Sequence, residues 1–187
     1  MKNILQLAGI SLIELLTTLV IVSSLTAMAV PLYSDLTSKK YIETERDQFA
    51  ALIQAARHAA ISFNQSVILC PGTKEACLAR NQWHQGAIAF IDQNNNYQPD
   101  VDEVLIAVQN KLRSRVFWRS FRSRSYLRFK PSGFTAWQNG HFLLCPSNQD
   151  PNLARQMVLN AAGRLYFSKD ENSDGIHEDV RGRPLAC

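Results

Sequence analysis

From Ile10 to Val30 the sequence reads ISLIELLTTLVIVSSLTAMAV, a run without glycine or proline and with a single charge, Glu14. At about 1.5 Å per residue, a helix of this length spans the hydrocarbon core of a bilayer, about 30 Å thick. A segment of this kind covers its apolar surface with lipid or with partner helices, so any water-facing fold has to come from the rest of the chain. Composition permits one. Apolar residues make up 46% and charged residues 19% of the 187 residues, which argues against wholesale disorder. The length suits one ordinary domain plus an appendage. With 8 glycines and 7 prolines the chain is neither collagen-like nor of low complexity. The net charge of +4 is compatible with an acidic partner without demanding one.

The residues before the apolar run give it direction. Ala8-Gly9 stands in front of the run, whereas a secretory signal peptide places its small-residue cleavage site behind it. A cut after Gly9 removes a short leader containing Lys2 and retains the helix. Glu14 then lies five residues into the trimmed chain. A carboxylate in lipid needs a partner, and the new α-amino group at Ile10, from the same chain or a neighbour, supplies one.

This arrangement of leader, Gly9, apolar Ile10, Glu14, membrane-length helix and Pro31 resembles the type IV prepilin signal, although the family usually has Phe at the position of Ile10. The resemblance implies that a prepilin peptidase cuts after Gly9 and N-methylates Ile10. It implies that Glu14 docks the subunit into a growing filament and that Pro31 kinks the helix. It also implies a single-pass protein of the bacterial inner membrane with its head in the periplasm, handed by a pilus assembly platform to a pilus or pseudopilus of other major and minor pilins.

Beyond Pro31 the helical pattern continues to about Asn64. Leu36, Phe49, Leu52, Ile53, Ala56 and Ala60 recur at three- and four-residue steps, with Lys39, Lys40, Glu43, Glu45, Arg46 and Asp47 between them. The polar stretch from Leu36 to Phe49 predicts a loosely packed join. After Asn64 short apolar or alternating runs predict strands at 67–69, 87–91, 104–108, 126–129, 141–144, 156–159 and 165–167. Asn139-Gly140 has the composition of a two-residue hairpin turn. The expected fold is α+β, a long N-terminal membrane-spanning helix packed on an antiparallel β-sheet head. Its parts are a leader at 1–9, a helix at 10–64 (membrane-spanning over 10–30, amphipathic over 31–64) and a β-rich head at 65–187.

The head resembles minor pilins and pseudopilins of the FimT and GspH kind. The resemblance rests on VILCP at 67–71 with Cys77 soon after, GAIAFIDQNNN at 86–96 leading to Glu103, FKPSGFTAWQNGHFLLCP at 129–146, and VLNAAGR at 158–164. A head outside the cytoplasm retains disulfides. The expected pairs are Cys70–Cys77 and Cys145–Cys187, the second tying down a tail that would otherwise fray. Cys70-Pro71 and Cys145-Pro146 are similar strand ends, which leaves Cys70–Cys145 open.

Two basic regions are candidates for DNA. Lys111 to Lys130 carries Lys111, Arg113, Arg115, Arg119, Arg122, Arg124, Arg128 and Lys130 without an acid, interleaved with Phe117, Trp118, Phe121, Tyr126 and Phe129. Cations neutralise phosphates, and aromatics or guanidinium planes stack on exposed bases. The same pattern also suits a strand whose aromatics face a core. FimT-like proteins carry a C-terminal Gly-Arg-x-Arg motif that binds DNA. Gly182-Arg183-Pro184-Leu185 matches its first half, with Leu185 in place of the second Arg and Arg181 as a substitute; Gly163-Arg164 is another half-match. Arg122, Arg124, Arg164, Arg181 and Arg183 are thus the candidate DNA contacts, and natural transformation the function they would serve. The alternative is a GspH-like pseudopilin of a type II secretion system, a structural subunit without DNA.

Metal, cofactor and catalytic signals are weak. Asp92-x-Asn94-x-Asn96 followed by Asp100, Asp102 and Glu103 has the spacing of a calcium loop, but Tyr97 stands where the sharp turn needs Gly. Asp170-x-Asn172-x-Asp174-Gly175 begins a second such pattern, and Arg181 falls where a carboxylate is required. Both read as turn-rich hairpin loops, and no metal or cofactor is expected. There is no CxxC, GxSxG, HExxH or P-loop, and the four histidines are scattered, so an enzyme is not expected.

Overall fold

The computed structural model describes residues 11–121 and 124–187. The chain divides into two compact units, Met1–Lys39 and Lys40–Cys187. One helix, α1 (Leu12–Ser62), contributes to both.

In the first unit, Leu12–Ala29 has a mean hydropathy of 1.9 and its side chains are exposed. Five hydroxyls interrupt the apolar surface. Thr17, Thr18, Ser23, Ser24 and Thr26 each donate to a carbonyl three or four residues earlier, at 2.8 to 3.0 Å. Each hydroxyl proton is therefore satisfied within the helix, as a hydrocarbon environment requires. Pro31 lies within α1.

In the second unit α1 runs on to Ser62 and ends in a Schellman arrangement. Gln65 N–H donates to the Ala60 carbonyl and Asn64 N–H to that of Ile61, each at 3.3 Å. Asn64 takes the left-handed conformation (φ 52°) that this cap needs, a role asparagine fills when glycine is absent. Among the described residues eight strands follow: β1 (Val67–Pro71), β2 (Ala87–Ile91), β3 (Leu105–Gln109), β4 (Arg115–Ser120), β5 (Leu127–Phe129), β6 (Gly140–Cys145), β7 (Arg155–Leu159) and β8 (Leu165–Phe167). They form two antiparallel sheets, ordered β3-β2-β1-β5 and β4-β6-β7-β8.

Both sheets and the helix share one core. The helix contributes Ile42, Phe49, Leu52, Ile53, Ala56 and Ala60. Val67, Leu69, Leu127 and Phe129 come from the first sheet, and Val116, Trp118, Phe142 and Met157 from the second. Phe49 and Trp83 meet Phe142 edge-on, at 5.0 and 5.2 Å between ring centroids, and Trp118 stacks on it at 4.1 Å. Aromatic pairs at such spacings add about 0.5–1.5 kcal/mol each beyond the area they bury. β1 is buried on both faces, because Ile68 and Cys70 point to a second cluster with Ile88 and Phe90. Tyr97 and Tyr126, stacked at 4.7 Å, pack against that cluster.

Three expectations need correction. The join after Leu36 is not loose throughout, since Ile42 is buried and so is Glu45. The Glu45 carboxylate accepts from the backbone N–H of Arg113 at 2.7 Å and of Ser114 at 3.0 Å, and from the Tyr41 hydroxyl. It thereby fastens α1 to the segment that enters β4. Burial and this bond push the Tyr41 phenol up to about 12. Secondly, Arg115–Ser120 forms a strand that apolar runs alone did not reveal, because only every second residue is buried. Thirdly, Asn139-Gly140 is not a two-residue turn. Gly140 opens β6 opposite Ser120, and Phe121 N–H donates to the Asn139 carbonyl at 3.0 Å. Glycine is needed there for close approach: a Cβ would lie 2.0 Å from the Arg119 carbonyl oxygen.

Candidate functional site

The outer face of the second sheet and the C-terminal segment across it hold two of the predicted contacts, Arg181 and Arg183, beside Arg119 of the basic run. On β4, Arg115, Phe117 and Arg119 point outward while Val116 and Trp118 enter the core. The basic, aromatic run therefore divides by strand alternation. Trp118 and Phe129 are core residues, whereas Phe117 and Phe121 are exposed. Arg119 lies opposite His141 on β6, and His141 opposite Val158 on β7.

Residues 177–187 cross this face. Leu185 N–H donates to the His177 carbonyl at 2.8 Å, Glu178 bridges both Lys169 and Pro184, and Cys187 is bonded to Cys145 at the end of β6. The other disulfide, Cys70–Cys77, closes the loop after β1. In both pairs the Cα atoms are 5.6 Å apart, within the usual range for a bridge.

Two open grooves border the C-terminal segment. The larger, about 410 Å³, is lined by Asn139, His141, Gln156, Arg181 and Arg183 among others. The smaller, about 280 Å³, is lined by Arg119, His141, Arg183 and Leu185 among others. Both include Asp179.

The two Gly-Arg half-motifs turn out to be the same turn. In Asn160-x-x-Gly163-Arg164 and in Asp179-x-x-Gly182-Arg183, the glycine has a positive φ (74° and 72°) and donates to the carbonyl of the first residue. The first residue's side chain accepts from the arginine N–H, at 2.9 and 3.0 Å. Asx and Gly at these places are what such a hairpin turn requires. Turn chemistry therefore accounts for both glycines.

The arginines differ in what they can offer. Arg183 is held at both Nε and Nη2 by Asp179, at 3.0 and 2.7 Å. These bonds hold the Asp179 carboxyl down to about 2. Arg181 is exposed and makes no ion pair among the described residues. Leu185 is buried, so the position of a second motif arginine is a packing position here. Arg164 sits on the β7–β8 turn and lines neither groove; Arg124 is exposed and also lines neither. Arg128 is occupied by Ser66, Asn95 and the Tyr97 ring. Gly9, Ile10 and Arg122 lie outside the described residues.

His141 titrates below the ordinary histidine value of 6.5, chiefly because burial disfavours the cation and secondarily because Arg119 repels it; Asp179 pulls the other way. The sign follows directly. Above 6.5 the imidazole is neutral in both folded and unfolded chains, and the full stability is present. As pH falls below 6.5 the unfolded chain takes up a proton before the folded one does, so stability drops until the folded pKa is passed. Thermal melts of the chain between pH 7.5 and 5 should show a falling midpoint, and His141→Gln should flatten the slope. An unchanged slope in that variant would contradict this assignment.

Sequence reasoning missed several of the groups that hold this face together. Arg155, buried at the start of β7, donates to the carbonyls of Asn152 and Ala154 and lies 3.8 Å from Glu43 on α1. Burial lowers its pKa. Nothing in a run of alternating charges distinguishes Glu43 or Glu45 from solvated neighbours; only a partner 68 or more residues away does so.

Residues 45–163 match the family described as type II transport protein GspH. The chain belongs to the GspH family. Two crystal forms of the type IV minor pilin FimU from Pseudomonas aeruginosa strain PAO1 share the fold of this GspH-family chain. The P21 form aligns with a TM-score of 0.55 at 14% identity, over 81% of this chain and 98% of that one. The P65 form aligns with a TM-score of 0.52 at 14% identity, over 68% and 92%. No curated protein matches the chain. The head of this chain thus belongs to the GspH family and has the fold of a type IV minor pilin.

Proposed function

We propose that the chain is a minor pilin that is trimmed after Gly9, anchored through Leu12–Ala29 in the inner membrane with its head in the periplasm, and then built into a pilus. The observation that carries this reading is the exposed apolar helix with its hydroxyls internally satisfied, fused to a GspH-family head. Helix packing in the filament interior would replace lipid as the cover for that surface, and Glu14 would pair with the N-methylated Ile10 amine, its own or a neighbour's. Pro31 would bend the helix below the head. The test is N-terminal sequencing of protein recovered from sheared filaments. Protein starting at N-methylated Ile10 supports the reading, and Glu14→Ala should leave the chain in the membrane and at least about tenfold depleted from filaments. Protein starting at Met1, or filaments indifferent to the Glu14 change, would refute it.

A second reading is favoured by the outward row of Arg115, Phe117 and Arg119 with Arg181 nearby in chain terms to the paired Arg183. On this reading the head touches DNA phosphates without sequence specificity and serves DNA uptake. Arg181 and Arg119 carry the contact, because Arg183 is held by Asp179. Mobility shifts with the full chain in detergent should weaken steeply as salt rises, and Arg119→Gln with Arg181→Gln should reduce the salt slope by about 2. No shift at low salt would leave the GspH-like secretion pseudopilin, a scaffold without DNA.

A further inference from the structure

The loop after β8 and the start of the C-terminal segment together carry three clustered carboxylates, Asp170 and Asp174 on the loop and Glu178 on the segment. One oxygen each of Asp170, Asp174 and Glu178 lies within 4.8 Å of the others. None of the three takes part in an ion pair among the described residues. Three like charges this close destabilise the loop unless something positive lies among them.

The state of Glu178 separates this cluster from an ordinary acidic turn. Its relative exposure is 7%, and its Oε1 is buried without a hydrogen-bond partner. Oε2 accepts from the Glu171 N–H at 2.9 Å. A buried carboxylate oxygen with nothing donating to it carries a large desolvation cost that a cation removes. Its two companions keep capacity for one. Asp170 accepts from the N–H groups of Ser173 and Gly175, one on each oxygen. Asp174 accepts from the Ile176 N–H and the Asn172 amide, again one on each. A carboxylate oxygen has two lone-pair sites, so each retains one.

We propose that Asp170, Asp174 and Glu178 form a divalent-cation site, and that its ion is calcium. The ligands are all hard carboxylate oxygens, the set that suits calcium and neither zinc nor copper. Among the described residues no histidine or cysteine joins the three carboxylates, so the cluster offers oxygen ligands alone. The sequence hid the site because the carboxylate expected at the twelfth place of the loop is Arg181, while Glu178 supplies one at the ninth. Glu178 also bridges Lys169 and Pro184, and Asp179 beside it shapes the Arg181–Arg183 turn. An ion here ties β8 to the segment that crosses the second sheet, a consequence independent of whether the head meets DNA.

Calcium titration of the full chain in detergent micelles, after chelator treatment, tests the site. One calcium per chain should bind saturably, and the melting midpoint should rise by about 5 °C at a hundredfold excess over Kd. Asp174→Asn removes one of the three crowded charges, so the calcium-free melt should rise slightly, while binding weakens at least about tenfold. Glu103→Gln, in the other acidic loop, should leave binding unchanged. Absence of saturable binding up to about 10 mM calcium, well above the range of weak extracellular sites, would overturn the proposal. So would binding that survives Asp174→Asn but not Glu103→Gln, or equal affinity for magnesium.

Discussion

Removing the Cys145–Cys187 bridge, as Cys145→Ser with Cys187→Ser, should lower stability by about 4 kcal/mol and the melting midpoint by about 10 °C. In the chain-entropy account the gain from a cross-link grows with the loop it closes. The 42-residue separation here compares with 7 for Cys70–Cys77, whose removal should cost about 2.5 kcal/mol. The larger bridge also anchors the end of the segment that carries Glu178, the Asp179–Arg183 pair and buried Leu185. Without it those contacts hold a free terminus, which frays. Parallel melts of the two double variants decide the matter. If the Cys70–Cys77 variant is the less stable one, the C-terminal segment contributes little to the fold, and the account of the grooves beside it fails as well.

Gly140→Ala should be comparably damaging, at about 3 kcal/mol or more. The added methyl would meet the Arg119 carbonyl at 2.0 Å and the Ser120 Cα at 2.7 Å. Both are backbone atoms of the paired strand, so no side chain can swing aside. The strands must separate at one end of the β4–β6 pair, which places Trp118 on Phe142. Gly182→Ala is the informative contrast. Nothing lies within 4 Å of its Cβ position, and the cost comes from its φ of 72° alone, about 1 kcal/mol. Denaturant unfolding of both variants separates steric overlap from backbone strain. Equal losses would mean that the β4–β6 pair relaxes freely, against the close packing inferred for this sheet.

Whatever depends on residues near one another in the chain was legible beforehand. The apolar run from Ile10 to Val30 and the three- and four-residue steps from Phe49 to Ala60 predict a helix to about Asn64, and α1 ends at Ser62. Alternation and turn residues placed seven of the eight strands, with β2 and β8 at their observed bounds. These patterns report which face of an element is apolar, and that is a local property. The Gly-Arg half-motifs were also legible as residues, but their shared turn became visible only once φ values and Asx contacts were known.

Tertiary structure decided what burial does to a charge. Glu45 and its neighbour Asp47 look alike in a helical run of acids and bases, yet Glu45 is buried under two backbone donors of the segment leading into β4 and Asp47 is not. Glu178 sits beyond the loop that holds Asp170 and Asp174, and the fold turns it back toward them. Gly140 has the composition of a turn but is required by the backbone across the sheet. Local apolar patterns were enough to specify a membrane-length helix joined to an antiparallel head. Which polar groups lose their water was set by contacts between distant segments, because desolvation depends on everything that packs around a group and not on its neighbours in the chain.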